Sequence, residues 1–209
     1  MFNPKKSGTE NIVYSLAKSS GDKKRALVLV EKEYTKQGYI DAGKHLPEDD
    51  AYSRTVFVAK AGDKVVGTVC IINDSKAGLP MDDMYKKELD KLRFEGKKIF
   101  EVGRLATDRD FLKETGGLAI LFSLFRLVFH YAIYQKIDYM CITVNPKHDL
   151  FYRSLSFKNI GPERPCPAVN NAPALPRALD IKKIRSQGSK NYLMKRVFLD
   201  SPPDYKIFE

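Results

Sequence analysis

The segment at residues 141–157, CITVNPKHDLFYRSLSF, constrains the fold more than any other. An apolar run typical of a β-strand breaks at Asn145-Pro146, because proline has a fixed φ and no backbone N–H. Pro146 suits the first turn of a helix, and Asn145 can cap that helix. The helix would carry Tyr152 to the end of the strand. A buried core aromatic is the alternative interpretation of a lone tyrosine.

Length and composition narrow the class of protein. The 209 residues are enough for one domain with a substantial core, and the three cysteines cannot all pair, which favours a reduced, cytoplasmic protein. We find no signal peptide before the first strand. The apolar stretch at 118–134 is too short to span a bilayer and is interrupted by Arg126 and His130. We therefore expect a soluble protein that is not integral to a membrane.

The chain is strongly basic. Lysine and arginine number 36 against 26 acidic residues, for a formal charge of +10. This balance favours an acidic partner. Because the sequence has no zinc spacing and no nucleic-acid-binding motif, we expect neither a metal site nor a nucleic-acid partner.

The order of patterns along the chain is β-α-β-β-α-β-α-β-α-β-β. Two hairpins in a chain that also alternates strands and helices predict an α/β (α+β) fold with a mixed, mostly antiparallel central sheet flanked by helices. We expect one domain over residues 1–185 and a loosely packed C-terminal tail over 186–209. Predicted strands lie at 12–17, 55–72 (two, joined at Gly62-Asp63), 98–107, 138–144, 157–161 and 174–181. Predicted helices lie at 22–37, 81–94 and 117–135, and the short helix that carries Tyr152 is the fourth.

The strand at 98–107 carries two charged candidates for chemistry. Glu101 and Arg104 stand three residues apart, which simple alternation would place on opposite faces of a sheet. Gly103 between them could accommodate a β-bulge that re-aims side chains and frees backbone N–H groups. A carboxylate and a guanidinium beside open backbone would form an acid–base and oxyanion-type site. An exposed ion pair is the alternative.

Two further features are weaker. Gly116-Gly117 precedes a helix whose N-terminal N–H groups could hold a phosphate, although an ordinary glycine turn has the same sequence. Phe122 and Phe125 of that helix could line an acyl tunnel or form plain core. Among the histidines, only His148 lies near the predicted site; His130 is more typical of a hydrogen-bonded core histidine.

Four ordered motifs resemble the long-chain N-acyl amino acid synthases, relatives of the acyl-homoserine-lactone autoinducer synthases with the GCN5-related N-acyltransferase (GNAT) fold. The motifs are NDSKAGLPMDDMYKKELDKLR at 73–93, FEVGRLATD at 100–108, ITVNPKHDLFYRSLSF at 142–157 and IGPERPCPAVNNAPA at 160–174. The resemblance implies transfer of a fatty acyl group from the pantetheine thioester of an acyl carrier protein to the amine of an amino acid. No tightly bound cofactor is implied, because the acyl donor is a co-substrate.

The resemblance also implies roles for individual residues. Glu101 and Arg104 match a Glu-x-x-Arg motif in which the carboxylate is the base for the acceptor amine, and Tyr152 matches a tyrosine that protonates the leaving thiolate. The wider set implied to contact the donor or substrate comprises the backbone N–H groups of Leu105, Ala106 and Thr107, together with Lys113, Gly116, Gly117, Phe122, Phe125, Asn145 and His148.

Two departures refine the expectation. Leu118 stands where relatives that use coenzyme A have a small residue, which favours a carrier-protein arm, and the +10 charge suits an acidic carrier. Leu29 stands where the autoinducer synthases have phenylalanine, and this chain has no tryptophan, which those synthases carry in the same helix. Both differences argue against homoserine-lactone synthesis. Two alternatives stay open: a coenzyme A-dependent N-acetyltransferase, and a non-catalytic module that binds an acidic partner through its basic surface.

Overall fold

A computed structural model describes residues 12–46, 52–115, 118–187, 191–200 and 202–209, with only the backbone described at 114–115. The strands are β1 Ile12–Leu16, β2 Arg54–Ala61, β3 Lys64–Asn73, β4 Ile99–Thr107, β5 Tyr139–Val144, β6 Lys158–Asn159, β7 Arg164–Cys166 and β8 Ala172–Asp180. The α-helices are α1 Ser20–Lys36, α2 Asp82–Phe94, α3 Arg109–Thr115, α4 Ala119–Tyr134, α5 Asp149–Ser154, α6 Ile181–Gln187 and α7 Tyr192–Met194.

The strands form one mixed sheet in the order β1-β2-β3-β4-β5-β8-β6, and β7 pairs with β8 off this path. The β4–β5 pair is parallel, and every other described pair is antiparallel. The helices cover both faces of this sheet. The predicted mostly antiparallel α/β fold is therefore confirmed.

Apolar side chains pack on both faces of the sheet. On one face, α4 and α5 form the largest core cluster with inward residues of β2, β3 and β4, such as Phe57, Phe100 and Val102. On the other face, α1 and α2 cover two smaller clusters, in which α2 contributes the fully buried Tyr85 and Leu89. Burial of these side chains holds α1 and α2 beside the face of β4 that carries Glu101.

The expectation of a loosely packed tail at 186–209 is wrong for the described residues of that segment. Met194, Val197, Phe198 and Phe208 are buried and belong to the main core cluster. His130 of α4 holds the segment as well, through contacts of its ring nitrogens with the Tyr205 hydroxyl at 2.9 Å and the Phe198 carbonyl at 3.0 Å. Polar residues between the apolar ones concealed this packing in the sequence.

Candidate functional site

A β-bulge in β4 brings the two charged candidates to one face of the sheet. Cys70 of β3 pairs with Gly103, and Thr68 pairs with Ala106, so Arg104 and Leu105 together oppose a single β3 residue. Arg104 adopts a left-handed backbone conformation with φ at 50°. The bulge expected at Gly103 thus lies directly after it, and it turns Arg104 towards the side of the sheet that α1 and α2 cover.

The candidate site lies where β4 and β5 separate. Their parallel ladder ends at the pair Val102–Ile142, although β4 continues to Thr107 and β5 to Val144. Beyond that pair, β5 stays joined to β8 and β4 stays joined to β3. The backbone of Leu105, Ala106 and Thr107 therefore borders the opening, and its β5-facing groups lie outside the described ladder.

Glu101 is a buried carboxylate at this opening. Its side chain belongs to a residue that is 8% exposed, and Oε2 accepts a hydrogen bond from the backbone N–H of Met81 at 2.8 Å. Burial raises the pKa of Glu101 to about 7 against the opposing effect of the Met81 N–H, and the nearby Asp82 and Asp83 raise it further. A carboxyl with a pKa near neutrality can accept a proton at physiological pH and release it again.

Arg54 is a basic residue of this region that the sequence did not single out. It pairs with Ile72 of β3, which in turn pairs with Glu101 of β4. Burial raises the pKa of Cys70 to about 11, and the charges of Arg104 and Arg54 act in the opposite direction. Both arginines therefore lie near the buried thiol. Arg54 belongs to no motif, and only the pairing of β2 with β3 brings it here.

Tyr152 of α5 is largely buried among aromatic rings. Its centroid lies 5.9 Å from that of Phe125, 5.3 Å from Phe151 and 5.6 Å from Phe157. Burial raises its pKa above the ordinary tyrosine value. None of the hydrogen bonds among the described residues involves its hydroxyl. Its hydroxyl is therefore protonated at neutral pH and available to a ligand.

Two tyrosines of the first helical region lie near Tyr152, and the sequence patterns did not identify them. Tyr34 and Tyr39 pack edge to face with centroids 5.6 Å apart, and Lys147 Nζ lies 4.6 Å from the centroid of Tyr39. Burial raises the pKa of Tyr34 to about 12. The Tyr39 hydroxyl is buried without a hydrogen-bond partner among the described residues. These rings join α1 to the break after β5.

The break after β5 has the predicted form. Asn145 Oδ1 accepts a hydrogen bond from the N–H of Lys147 at 3.1 Å, and a 3-10 turn over Pro146–His148 precedes α5. The exposed His148 has a lowered pKa, owing to desolvation of its ring and the charges of Lys147 and Arg109. Asn145 is thus a capping residue, and His148 lies at the outer margin of the site.

The other predicted donor contacts have different outcomes. Phe125 is 2% exposed and packs against Tyr152, whereas the half-buried Phe122 stacks on Phe151 at 6.3 Å. Lys113 is exposed and its Nζ lies 3.8 Å from Asp110 in α3, a helix that the sequence patterns did not predict. The predicted phosphate-binding turn at residues 116–117 lies outside the described residues.

The described residues include neither a candidate metal centre nor a candidate membrane-spanning helix. They contain no group of three or more His, Cys, Asp or Glu side chains placed to hold a metal ion. Within the same ranges, no helix is long and apolar enough to cross a bilayer.

Comparison with known proteins identifies the family. The family model described as N-acyl amino acid synthase FeeM matches residues 25–180. The structure of FeeM, an N-acyl amino acid synthase from uncultured soil microbes, is 38% identical, with a TM-score of 0.76 over 86% of this chain and 96% of that chain. A search of proteins with curated functions found no match.

More distant structures share the fold. The acyl-homoserine-lactone synthase LasI is 13% identical, with a TM-score of 0.60 over 85% of this chain and 94% of that one. Escherichia coli ElaA is 13% identical, with a TM-score of 0.55 over 81% of this chain and 100% of that one. The family match and the FeeM structure confirm the resemblance seen in the sequence. The chain belongs to the N-acyl amino acid synthase FeeM family and is an acyltransferase with a GNAT-like fold.

Proposed function

We propose that this synthase transfers a long-chain fatty acyl group from the pantetheine thioester of an acyl carrier protein to the amine of an amino acid. The observation that carries the proposal is Glu101, a buried carboxylate with a pKa of about 7 beside the opening between β4 and β5. A base of this strength accepts the proton that an amino acid's ammonium group must lose before it can attack a thioester.

The reaction proceeds by direct attack. Glu101 takes a proton from the acceptor, and the amine nitrogen then forms a bond to the thioester carbon. The backbone of Leu105, Ala106 and Thr107 borders the opening, and those of its N–H groups that face away from β3 stabilise the oxyanion. The C–S bond then breaks, and the second amine proton goes to the sulfur. The resemblance implies that Tyr152 protonates the sulfur; because burial raises the pKa of Tyr152, we assign it instead the donation of a hydrogen bond to the sulfur as negative charge develops there.

The charge of the chain supports a carrier-protein donor. The formal charge is +10, and Arg109, Lys113 and Lys147 are exposed along α3 and the break after β5. Leu118, which is 52% exposed at the N-terminus of α4, offers a large side chain where a coenzyme A pyrophosphate would need close approach to the backbone. Attraction between a basic surface and an acidic carrier increases the association rate at low salt.

The donor can be tested directly, because a structurally similar synthase, BjaI, is described as coenzyme A-dependent. The full chain is given one acyl group as the carrier-protein thioester or as the coenzyme A thioester, with a pool of amino acids, and N-acyl products are identified by mass spectrometry. We expect kcat/KM at low salt to be at least about tenfold higher with the carrier protein, and salt to reduce this preference.

A matched pair of variants tests whether the basic surface contributes to use of the carrier protein. Lys113→Gln should lower kcat/KM with the carrier protein at low salt and leave turnover of a short pantetheine thioester unchanged. Lys182→Gln, at an exposed position of α6, should change neither rate. Equal use of acyl-coenzyme A at low and high salt would refute the carrier-protein donor while leaving the acyltransferase activity intact.

A further inference from the structure

A cavity separate from the opening between β4 and β5 lies at the outer edge of the sheet, beside α5. Its volume is about 370 Å³, and its lining comes from α5, β6, β8 and the turn before β6. The lining residues are Leu150, Arg153, Ser154, Phe157, Lys158, Asn159 and Arg177. The lining includes neither Glu101 nor Tyr152. We refer to it as the edge cavity.

Three cations line the edge cavity. Arg177 of β8 is only 7% exposed, its Nη2 lies 2.5 Å from Asp149 Oδ1, and its Nε is buried without a hydrogen-bond partner among the described residues. Arg153 and Lys158 are exposed, and no ion pair within the described ranges involves either of them. Asp149 pairs with Arg177, so the charges of Arg153 and Lys158 are the two that no ion pair among the described residues balances.

A buried guanidinium with an unused donor is costly unless a ligand or water satisfies it. Guanidinium groups bind the oxygens of phosphate or carboxylate in a bidentate manner, and a phosphomonoester carries nearly two negative charges at pH 7. Such a dianion would balance the two excess positive charges. A lone carboxylate would leave one of them uncompensated.

The size and walls of the cavity favour an organic ligand over free phosphate. Small-molecule sites in proteins have volumes of roughly 300–1,000 Å³, and the edge cavity lies within that range. Leu150, which is 77% exposed, supplies an apolar side chain beside the cations. We propose that the edge cavity binds a small phosphomonoester, with its phosphate at Arg153, Lys158 and Arg177 and its organic part against Leu150.

Calorimetric titration of the full chain with phenyl phosphate and with inorganic phosphate tests the proposal. We expect phenyl phosphate to bind at millimolar concentrations or below in low salt, and inorganic phosphate to bind more weakly. Arg153→Gln and Lys158→Gln should each weaken phenyl phosphate binding about tenfold, because each removes one charge-assisted contact. Lys182→Gln is the charge-matched control and should bind as the unmodified chain does.

Leu150→Ala separates the two halves of the proposed site. It should weaken binding of phenyl phosphate and leave binding of inorganic phosphate unchanged. Circular dichroism establishes that each variant is folded, and Arg177 is left intact because of its pairing with Asp149. The proposal is overturned if phenyl phosphate does not bind at millimolar concentrations, if the two charge variants match Lys182→Gln, or if inorganic phosphate binds as tightly. Tighter binding of an acidic peptide at the same residues would also overturn it.

Discussion

The backbone N–H of Met81 donates a hydrogen bond to Oε2 of Glu101 across the boundary between the start of α2 and β4, at 2.8 Å. This bond fixes the orientation of the carboxylate without the use of a cation. Met81 is itself 1% exposed, so the donor is held by its packing. Arg104 could orient Glu101 or bind the carboxylate of the acceptor, and because Met81 already orients Glu101, we expect Arg104 to bind the acceptor.

Replacement of Glu101 should remove the general base proposed for the acceptor amine. Because the Glu101 pKa is about 7, kcat/KM of the unmodified enzyme should rise with pH through a limb with an apparent pKa near 7. Glu101→Gln should lower kcat by roughly 10²–10⁴ and remove that limb. Steady-state rates from pH 5 to 9 measure both effects, and Glu95→Gln at an exposed position provides the control. Unchanged turnover in folded Glu101→Gln would exclude Glu101 as the base.

The same carboxyl should make stability depend on pH. Burial raises the pKa in the folded state, so the folded chain holds this proton more tightly than the unfolded chain does. The resulting stabilisation is complete below the unfolded pKa of 4.5 and is lost as pH rises through about 7. Glu101→Gln should therefore gain about 3 kcal/mol in unfolding free energy relative to the unmodified chain between pH 4.5 and pH 8. Urea unfolding at both pH values measures this difference, and a constant difference would contradict it.

Tyr152→Phe should separate chemistry from packing. The ring contacts with Phe125, Phe151 and Phe157 survive the change, and no described hydrogen bond of the hydroxyl is lost. We expect the melting temperature to change little and kcat to fall at least about tenfold, because the leaving sulfur loses its donor. With an acyl donor whose leaving thiol has a lower pKa, Tyr152→Phe should lose less of its rate. Tyr192→Phe, at a position 76% exposed, is the control. If Tyr152→Phe keeps the kcat of the unmodified enzyme, Tyr152 has no role in the reaction and serves only in core packing.

The local signals in the sequence were sufficient for the main frame of the fold. Gly62 has a positive φ of 57° at the predicted hairpin, and Asn145 caps the turn that Pro146 begins. Each of these features depends only on neighbouring residues, so the local sequence is enough to predict it. The bulge was predicted at Gly103, but the sequence does not indicate which residue of the bulge adopts the left-handed conformation. In the structure that residue is Arg104.

Two short elements and the contributions of distant residues were not predicted. The helix α3 has only 7 residues, although Asp108 caps its start, and β7 has only 3 residues and contains Pro165. Tyr34, Tyr39 and Arg54 reach the site from segments far from β4 in sequence. No local spacing distinguishes them from other aromatic or basic residues, because their proximity results from packing of α1 and from the pairing of β2 with β3.

Asp108 should stabilise the junction between β4 and α3. Its Oδ1 accepts hydrogen bonds from the N–H groups of Asp110 and Phe111, and Lys64 Nζ lies 2.9 Å from its Oδ2. Burial acts in the opposite direction, yet Lys64 and the Phe111 N–H hold the pKa of Asp108 at about 2. This stabilisation is present above the unfolded pKa of 3.8 and is lost as pH falls through 2.

Asp108→Asn should therefore lower the unfolding free energy at pH 7 by about 2 kcal/mol, and the difference should shrink as the unmodified chain is titrated from pH 4 to pH 2. Urea unfolding measures it. Asp63→Asn is the matched control, because Asp63 lies in the exposed turn after β2, where aspartate and asparagine are both favourable. An equal loss in both variants would indicate a general charge effect instead of the cap.

Arg104 should act on binding of the amino acid more than on turnover. Its φ of 50° lies in the region that favours glycine, so Arg104→Gly removes the guanidinium without straining the bulge, and the unfolding free energy should change by no more than about 1 kcal/mol. With saturating acyl donor, the KM for the amino acid should rise at least about tenfold. The KM of Arg104→Lys should lie between those of the unmodified chain and Arg104→Gly, because an ammonium group keeps the charge but cannot bind a carboxylate in a bidentate manner. A fall in kcat at constant KM would instead assign Arg104 to the orientation of Glu101, which would reduce the importance of the Met81 hydrogen bond.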